Sequence, residues 1–452
     1  MNDLLRILWY YGRTRYGRKF RSPDALHIWQ DQQVKQFLHQ ILPRSPFYQA
    51  YYRGLNLQDW RQFPLIDKSI MMSNFDRLNT VGISQAEAME VARKAEEDRN
   101  FRSTLRGYTV GLSSGTSGNR GLFLVSPAEQ QAWAGTILAK ALPQSILSHQ
   151  RIAFFLRANS NLYETVQQQR IQFEYFDLFQ PLEQHIARLN GYHPTVLVAP
   201  ASMLRFLAEA RSRGELSILP RRIISVAEVL DPLDEQVICQ AFNQPVHQIY
   251  QCTEGFLAAT CEHGTLHLNE ESLVIQKDYL DRASGRFMPI ITDFQRTTQP
   301  IIRYRLDDIL TEQKTPCPCG SVSTAIAQIE GRCDDIFYLP DRIHARLIPI
   351  FPDLIRRAVI LTSDAIQEYS VVQTSEAIQI FLKVPEDQWA SVTASLETRL
   401  QELLQRSNCQ IPPLEFSHYP TQTPYDKKLR RVRRECPENI FCSDSIGADP
   451  GI

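Results

Sequence analysis

The sequence predicts an α/β fold: a large N-terminal domain with mixed, largely parallel sheets flanked by helices, and a small α+β C-terminal domain. Short apolar runs alternate with helical stretches after Tyr108, the texture becomes turn-rich after Ile290, and a second region begins near Gly331. The runs at 151–158, 171–179, 195–201, 222–230 and 246–252 read as strands. The stretches 181–189, 202–213 and 232–242 between them read as helices. Such alternation favours a parallel core with helices on both faces. In such sheets, ligands bind beyond the carboxyl ends of the strands.

Before this core, residues 1–105 read as a mostly helical region packed on the main domain. Residues 26–42 carry apolar residues at helical spacing and stop at Ser45-Pro46. Residues 84–104 are rich in helix formers and charge and predict an exposed helix. The main domain is expected at 106–332. The small domain at 333–440 is marked by the apolar run 377–384 and the amphipathic stretch 385–408, and a tail covers 441–452.

At 452 residues, 43% hydrophobic and 22% charged, the chain has the composition of a soluble globular protein. A net charge of −1 gives no general electrostatic case for nucleic acid. No apolar run is long enough to cross a membrane, and the N-terminal order, apolar then basic, reverses that of a signal peptide. A cytoplasmic protein is expected. Nine scattered cysteines suit reduced thiols. Arg6 to Arg21 holds six Lys/Arg with Trp9, Tyr10, Tyr11 and Tyr16. It reads as a basic helix packed on the main domain, with a peripheral membrane or RNA-binding module as the alternative.

Ser113-Ser114-Gly115-Thr116-Ser117-Gly118 follows the strand-like stretch 108–112. Hydroxyls and glycines so packed let N–H and O–H donors converge on phosphate oxygens, and Arg120 adds a cation. The Gly-Lys-[ST] ending of a Walker A loop is missing. Taken alone, the hexamer also suits a surface loop. Cys317-Pro-Cys319-Gly320 is a tight thiolate pair, with Cys261, His263 and His267 upstream. Three thiolates and one imidazole make a tetrahedral structural zinc site; unliganded thiols are the other reading of that spacing.

The hexamer, Ser45-Pro46-Phe47-Tyr48, Pro64-Leu65-Ile66-Asp67-Lys68, Ala227-Glu228, Tyr250-Gln251-Cys252-Thr253-Glu254, Arg303-Tyr304-Arg305-Leu306-Asp307-Asp308 and Gly331-Arg332-Cys333-Asp334-Asp335 run along almost the whole chain. Together they resemble the acyl-adenylate-forming superfamily, and more narrowly its phenylacetate–CoA ligase and capsule-protein-like branch. The resemblance implies ATP- and Mg²⁺-dependent activation of a carboxylic acid to acyl-AMP and pyrophosphate. Glu254 would hold Mg²⁺, Thr253 the α-phosphate, and Asp308 the ribose hydroxyls. Residues 113–118 and Arg120 would take the phosphates, and Ala227, Glu228 and Tyr250 would flank adenine. Arg332 would reach toward ribose or phosphate, and Asp334 would be the hinge of a mobile C-terminal domain. That domain would deliver the catalytic lysine, Lys428, or its neighbour Lys427. By the same resemblance Cys261, His267, Cys317 and Cys319 would bind Zn²⁺.

Two departures bear on the rest of the reaction. Gln251 stands where the superfamily has glycine. After Asp335 the chain reads IFYLPDRIHARLIPIFPD, without the glycine of the thioester-forming loop, which leaves CoA open as acceptor. Transfer to another nucleophile is an alternative, as is adenylylation of a phenolic cofactor or metabolite. Phe154, Phe155, Phe173, Tyr175 and Phe176 suit either an aromatic-acid pocket or plain core. The oligomeric state, a homodimer included, is left open.

Overall fold

The computed structural model describes residues 3–17, 20–113, 121–168, 170–344, 347–420 and 430–435. They divide into two compact units, one up to Ile329 and one from Glu330. The first opens with α1 (Asp3–Tyr16), α2 (Pro23–Ile41), α3 (Pro46–Tyr51), α4 (Lys68–Ser73), α5 (Phe75–Leu78) and α6 (Gln85–Glu97). Ser22 caps α2 ahead of Pro23, Ser45 caps α3 ahead of Pro46, and Ser84 with Glu87 forms a capping box on α6. Each cap satisfies an amide that the first turn leaves unpaired. The helix expected over 84–104 ends earlier, because Arg99 turns the chain at φ 52°. Nor is it simply exposed. Ala88, Ala92 and Ala95 are buried, and small side chains let α6 lie close on Val110, Leu122 and Leu124.

Next come β1 (Thr104–Leu105), β2 (Tyr108–Leu112) and β3 (Leu122–Val125), an antiparallel sheet, and α7 (Pro127–Ala141). The parallel core alternates as β4 (Gln150–Leu156), α8 (Asn161–Glu164), β5 (Ile171–Asp177), α9 (Leu182–Tyr192), β6 (Val196–Ala199), α10 (Ala201–Ser212), β7 (Arg222–Ser225), α11 (Pro232–Phe242) and β8 (Val246–Cys252). Its strand order is β5-β4-β6-β7-β8, parallel throughout. Strands β6 and β7 stop short of the apolar runs that predict them. Pro200 leads directly into α10, and Ala227 adopts φ 63° just past β7.

The sheet continues antiparallel through β9 (Gly255–Thr260), β10 (Leu266–Leu268), β11 (Val274–Asp281), β12 (Arg286–Asp293), β13 (Ile301–Arg305), β14 (Asp308–Glu312) and β15 (Ala325–Arg332). These strands show little alternation to the eye. All eight residues of β12 are buried, so neither face advertises itself, and Pro289 interrupts the run.

The second unit holds β16 (Phe337–Pro340) paired with β17 (Leu347–Ile350), then α12 (Pro352–Ile360), β18 (Glu368–Gln373), β19 (Ile378–Lys383), α13 (Trp389–Arg406), β20 (Leu414–His418) and β21 (Val432–Arg434). Its four-stranded sheet runs β20-β19-β18-β21. Helix α13 buries Val392, Leu396, Leu400 and Leu404, one stripe at a spacing of four. Among the described residues, no helix is long and apolar enough to cross a membrane.

Helix α1 lies against α7 at Gly135. A Cβ there would stand 2.4 Å from the Ile7 carbonyl oxygen and 2.6 Å from the Tyr10 Cβ. In a free helix, Gly→Ala stabilises by about 1 kcal/mol. Here Gly135→Ala is expected to destabilise by roughly 1–3 kcal/mol, because α1 must shift. Urea denaturation checks the sign.

Candidate functional site

The carboxyl ends of the parallel strands meet the β8–β9 turn, where Thr253 and Glu254 sit between the paired residues Cys252 and Gly255. Thr253 Oγ1 donates to Glu254 Oε2 at 2.8 Å. The Tyr304 phenol also bonds Glu254. The Tyr250 hydroxyl donates to Asp308 Oδ2 at 2.5 Å. Two carboxylates, two phenols and the Cys252 thiol therefore share one pocket of the first unit. Burial, reinforced by the Asp308 and Glu254 charges, pushes Tyr250 well above its ordinary value; burial and Glu254 do the same to Tyr304 and Cys252. These phenols stay protonated and serve the carboxylates as donors.

The turn is tied to the neighbouring sheet by Arg296. Its guanidinium donates to the Thr253 carbonyl and, at 3.2 Å, to the Leu124 carbonyl on β3. Gln299 clamps the same strand, accepting from Leu124 N at 2.8 Å and donating to Leu122 O at 3.1 Å. Strand β3 follows the Ser/Thr/Gly loop, whose base is closed by two bonds. Ser113 N donates to Gly121 O, and Gly121 N to Ser113 Oγ, both at 2.7 Å. Residues Ser114, Gly115, Thr116, Ser117, Gly118 and Arg120 lie outside the described residues, as do Lys427 and Lys428. The loop base thus stands beside the carboxylate turn. Lys68 is also close: a Cβ on Gly121 would lie 3.3 Å from its Cε.

Other motif residues have visible duties. Ala227 takes a left-handed conformation that an L-residue rarely adopts, a strain that concentrates at ligand sites. The Glu228 carboxylate accepts from Ser202 N at the start of α10 and lies 3.8 Å from Arg157. In the second unit, Arg332 lies 3.8 Å from Asp334, and buried Asp335 is paired with Arg430.

Alternation on the strands splits the five candidate aromatics. Phe155 and Phe176 stack on each other, and Phe155 meets His185 of α9 edge to face, as core. Phe154 and Phe173 face the other way, toward Tyr163 and Trp133. Trp133 Nε1 donates to Gln251 Oε1 at 3.0 Å, which turns the Gln251 amide nitrogen away from the indole. Tyr175 instead bonds the Leu156 carbonyl and Arg99.

Cys261, His267, Cys317 and Cys319 lie with their ligand atoms all within 4.8 Å of one another. Cys261 Sγ is 3.7 Å from Cys317 Sγ, and Cys319 Sγ is 3.4 Å from His267 Nε2. Zinc–sulfur bonds of about 2.3 Å at tetrahedral angles give a sulfur–sulfur edge of about 3.8 Å. His267 Nδ1 faces the Ser323 carbonyl at 3.1 Å, which leaves the Nε2 lone pair aimed at the thiols. Burial raises Cys317, but donors from Thr265, Cys319 and His267 outweigh it and hold the thiol down to about 6. His263 is outside this cluster.

The chain covers 92% of its own length, and 91% of the other chain, on 2-hydroxyisobutyryl-CoA ligase in the postadenylation state with 2-HIB-AMP, at TM-score 0.66 and 18% identity. The acyl acid amido synthetase AtGH3.15 in complex with 2,4-DB matches over 97% of this chain and 95% of its own, at TM-score 0.59 and 12% identity. The fold is that of the adenylate-forming ligases. Protein CapK of Staphylococcus aureus is 23% identical over 347 residues, 70% of each chain. No family model matches. The site residues left without a role by the sequence are Tyr304, Arg296, Gln299 and Lys68. Tyr304 and Lys68 lie inside quoted motifs; Arg296 and Gln299 carry no local signal, because only the fold brings them to β3.

Asp293 gives this region a pH signature. Burial pushes its carboxyl up to about 6, with Arg296 opposing and Glu129 reinforcing. The folded protein therefore keeps a proton that the unfolded chain releases above its ordinary 3.8. Stability from this group is lost as pH rises through that window. Asp293→Asn should remove the loss and gain on the wild type from about pH 4 to pH 7, reaching on the order of 1–3 kcal/mol. Urea titrations across that range measure it; parallel profiles would show that Asp293 is ionised in the fold.

Proposed function

We propose that this chain is an ATP- and Mg²⁺-dependent enzyme that activates a carboxylic acid as its acyl-AMP. The observation that carries the reading is the joining of Glu254 and Asp308, each with a phenolic donor, to the base of the Ser/Thr/Gly loop through Arg296. An acid oxygen attacks the α-phosphorus, an O–P bond forms, and the bond to pyrophosphate breaks. Charge then has to be met by donors and cations fixed in advance. Glu254 suits Mg²⁺, which takes one or two carboxylates with substrate phosphates and offsets their charge. Asp308 has two acceptor oxygens for the ribose hydroxyls. Residues 113–118 and Arg120 take phosphates, Thr253 the α-phosphate, and the Ala227 backbone and Tyr250 flank adenine. Arg332 and Lys428 supply further cations, with Asp334 as hinge.

The acid is proposed to be aromatic, lying against Trp133, Phe154 and Tyr163 with Gln251 at its polar end. The two solved neighbours are named for thioester and amide products. With no glycine in the stretch after Asp335, a nucleophile other than CoA remains a full candidate for the acceptor. ATP–pyrophosphate exchange against aromatic and aliphatic acids, with and without CoA, tests the whole reading. Glu254→Gln should lower exchange by roughly 10²–10³. Lys428→Ala should depress exchange while ATP affinity holds, since a cation met only in the transition state adds to rate, and Lys427→Ala should do little. Full activity of Glu254→Gln would remove Glu254 as the metal ligand.

We infer also that the Cys261, His267, Cys317 and Cys319 cluster holds structural Zn²⁺, pinning the turn after β9 to the loop between β14 and β15. Elemental analysis should give about one zinc per chain, and Cys317→Ser should lower metal content and stability together. A metal-free wild type of full stability would count against it.

A further inference from the structure

Helix α1 buries Ile7 and Tyr11 against α7 and the parallel sheet. Its pose is fixed. Gly135 admits the backbone at Ile7, Arg15 donates to the Ala139 and Leu142 carbonyls, and the Tyr11 hydroxyl accepts from Ile146 N. The remaining face is not polar, as a solvated helix face would be. At 3.6 residues per turn, Leu4, Leu8, Gly12, Leu5, Tyr16 and Trp9 form one arc of roughly 140°; Arg15 falls within it, but its guanidinium is turned onto the Ala139 and Leu142 carbonyls. Leu5 is 56% exposed, Trp9 50% and Tyr16 70%. Arg6 and Arg13 border this arc, and the Arg13 guanidinium lies 5.2 Å from the centre of the Trp9 ring. Nearby, Ile146 leads into Leu147, itself 66% exposed, whose carbonyl accepts from Arg170.

We propose that this face of α1 docks the protein on an anionic membrane surface. Charge complementarity selects the occupant. Residues 3–21 carry six Lys/Arg and one acidic residue, Asp3, in a chain whose net charge is −1. Leucines and a tryptophan with arginines alongside match the headgroup boundary, where apolar side chains sink a few ångströms and cations stay with lipid phosphates. An RNA partner would use the arginines and leave Leu4, Leu5 and Leu8 unexplained. A second copy of the chain, paired antiparallel, would set arginine against arginine along the Trp9 edge of the arc. Nothing in this docking depends on the adenylation reading.

The test is co-sedimentation of the full-length protein with vesicles of phosphatidylcholine, alone or with about a third phosphatidylserine. The wild type should pellet with the anionic vesicles, less so in high salt. Arg6→Gln with Arg13→Gln should weaken this roughly thirtyfold. Leu5→Ser with Trp9→Ser should weaken it on the order of tenfold or more. Thermal melts should stay unchanged for both pairs, since all four side chains are on or beside the exposed arc. Wild-type indifference to anionic vesicles, or undiminished binding by the Leu5/Trp9 variant, overturns the proposal. So does a solution dimer that Leu5→Ser with Trp9→Ser dissociates, or oligonucleotide binding lost in the arginine variant while vesicles are ignored.

Discussion

The Arg296 guanidinium holds the candidate site together. It spans the Thr253 carbonyl at the β8–β9 turn and the Leu124 carbonyl on β3. Among the described residues these belong to different sheets, with no backbone ladder between them. A half-buried cation needs compensation. The Glu129 carboxylate provides it, and it also accepts from Thr297 N, Thr298 N and the Thr298 hydroxyl. Burial alone would raise Glu129, but Thr298, Ser126 and Arg296 outweigh it and hold it below its ordinary value. The same carboxylate closes the capping box of α7, so helix, loop and turn are fixed through one group.

That arrangement explains why so many polar groups can be sheltered together. Tyr250 and Tyr304 are protonated donors whose hydroxyls satisfy Asp308 and Glu254 without adding charge. The price is a crowded, electronegative pocket, and a bound cation or a set of phosphates with their metal would relieve it. The Cys/His cluster sits at the far end of β9 from this turn and is braced by its own tight turns. Gly264 and Gly320 adopt positive φ, and their amides return to the Cys261 and Cys317 carbonyls.

Strand and helix periodicity carried much of the α/β class. The five parallel strands and helices α9, α10 and α11 are apolar runs of the right length between turn residues, and α2 and α13 repeat apolar residues at helical spacing. The antiparallel strands from β9 to β15 were not legible, because strands such as β12 are buried on both faces and lose alternation. Quoted motifs named Tyr250 and Asp308, Cys261 and Cys317, and His267 and Cys319, pairs 52 to 58 positions apart in the chain that come together in space. Arg296, Gln299 and Trp133 were not nameable, since the partners that tie them across the fold, Leu124 for the first two and Gln251 for the third, are more than a hundred residues away.

The sequence by itself determined the secondary-structure alternation, the caps and the residue types available for chemistry, because these depend on local sterics and periodicity. Only the tertiary structure decided which aromatics are core and which face Gln251, that the Glu228 carboxylate is spent on the start of α10, and that α1 leaves an apolar arc outside. Strand pairing and helix packing set those outcomes, and they are fixed by contacts between residues far apart in the chain: Phe155 against His185, Glu228 against Ser202, Ile7 against Gly135.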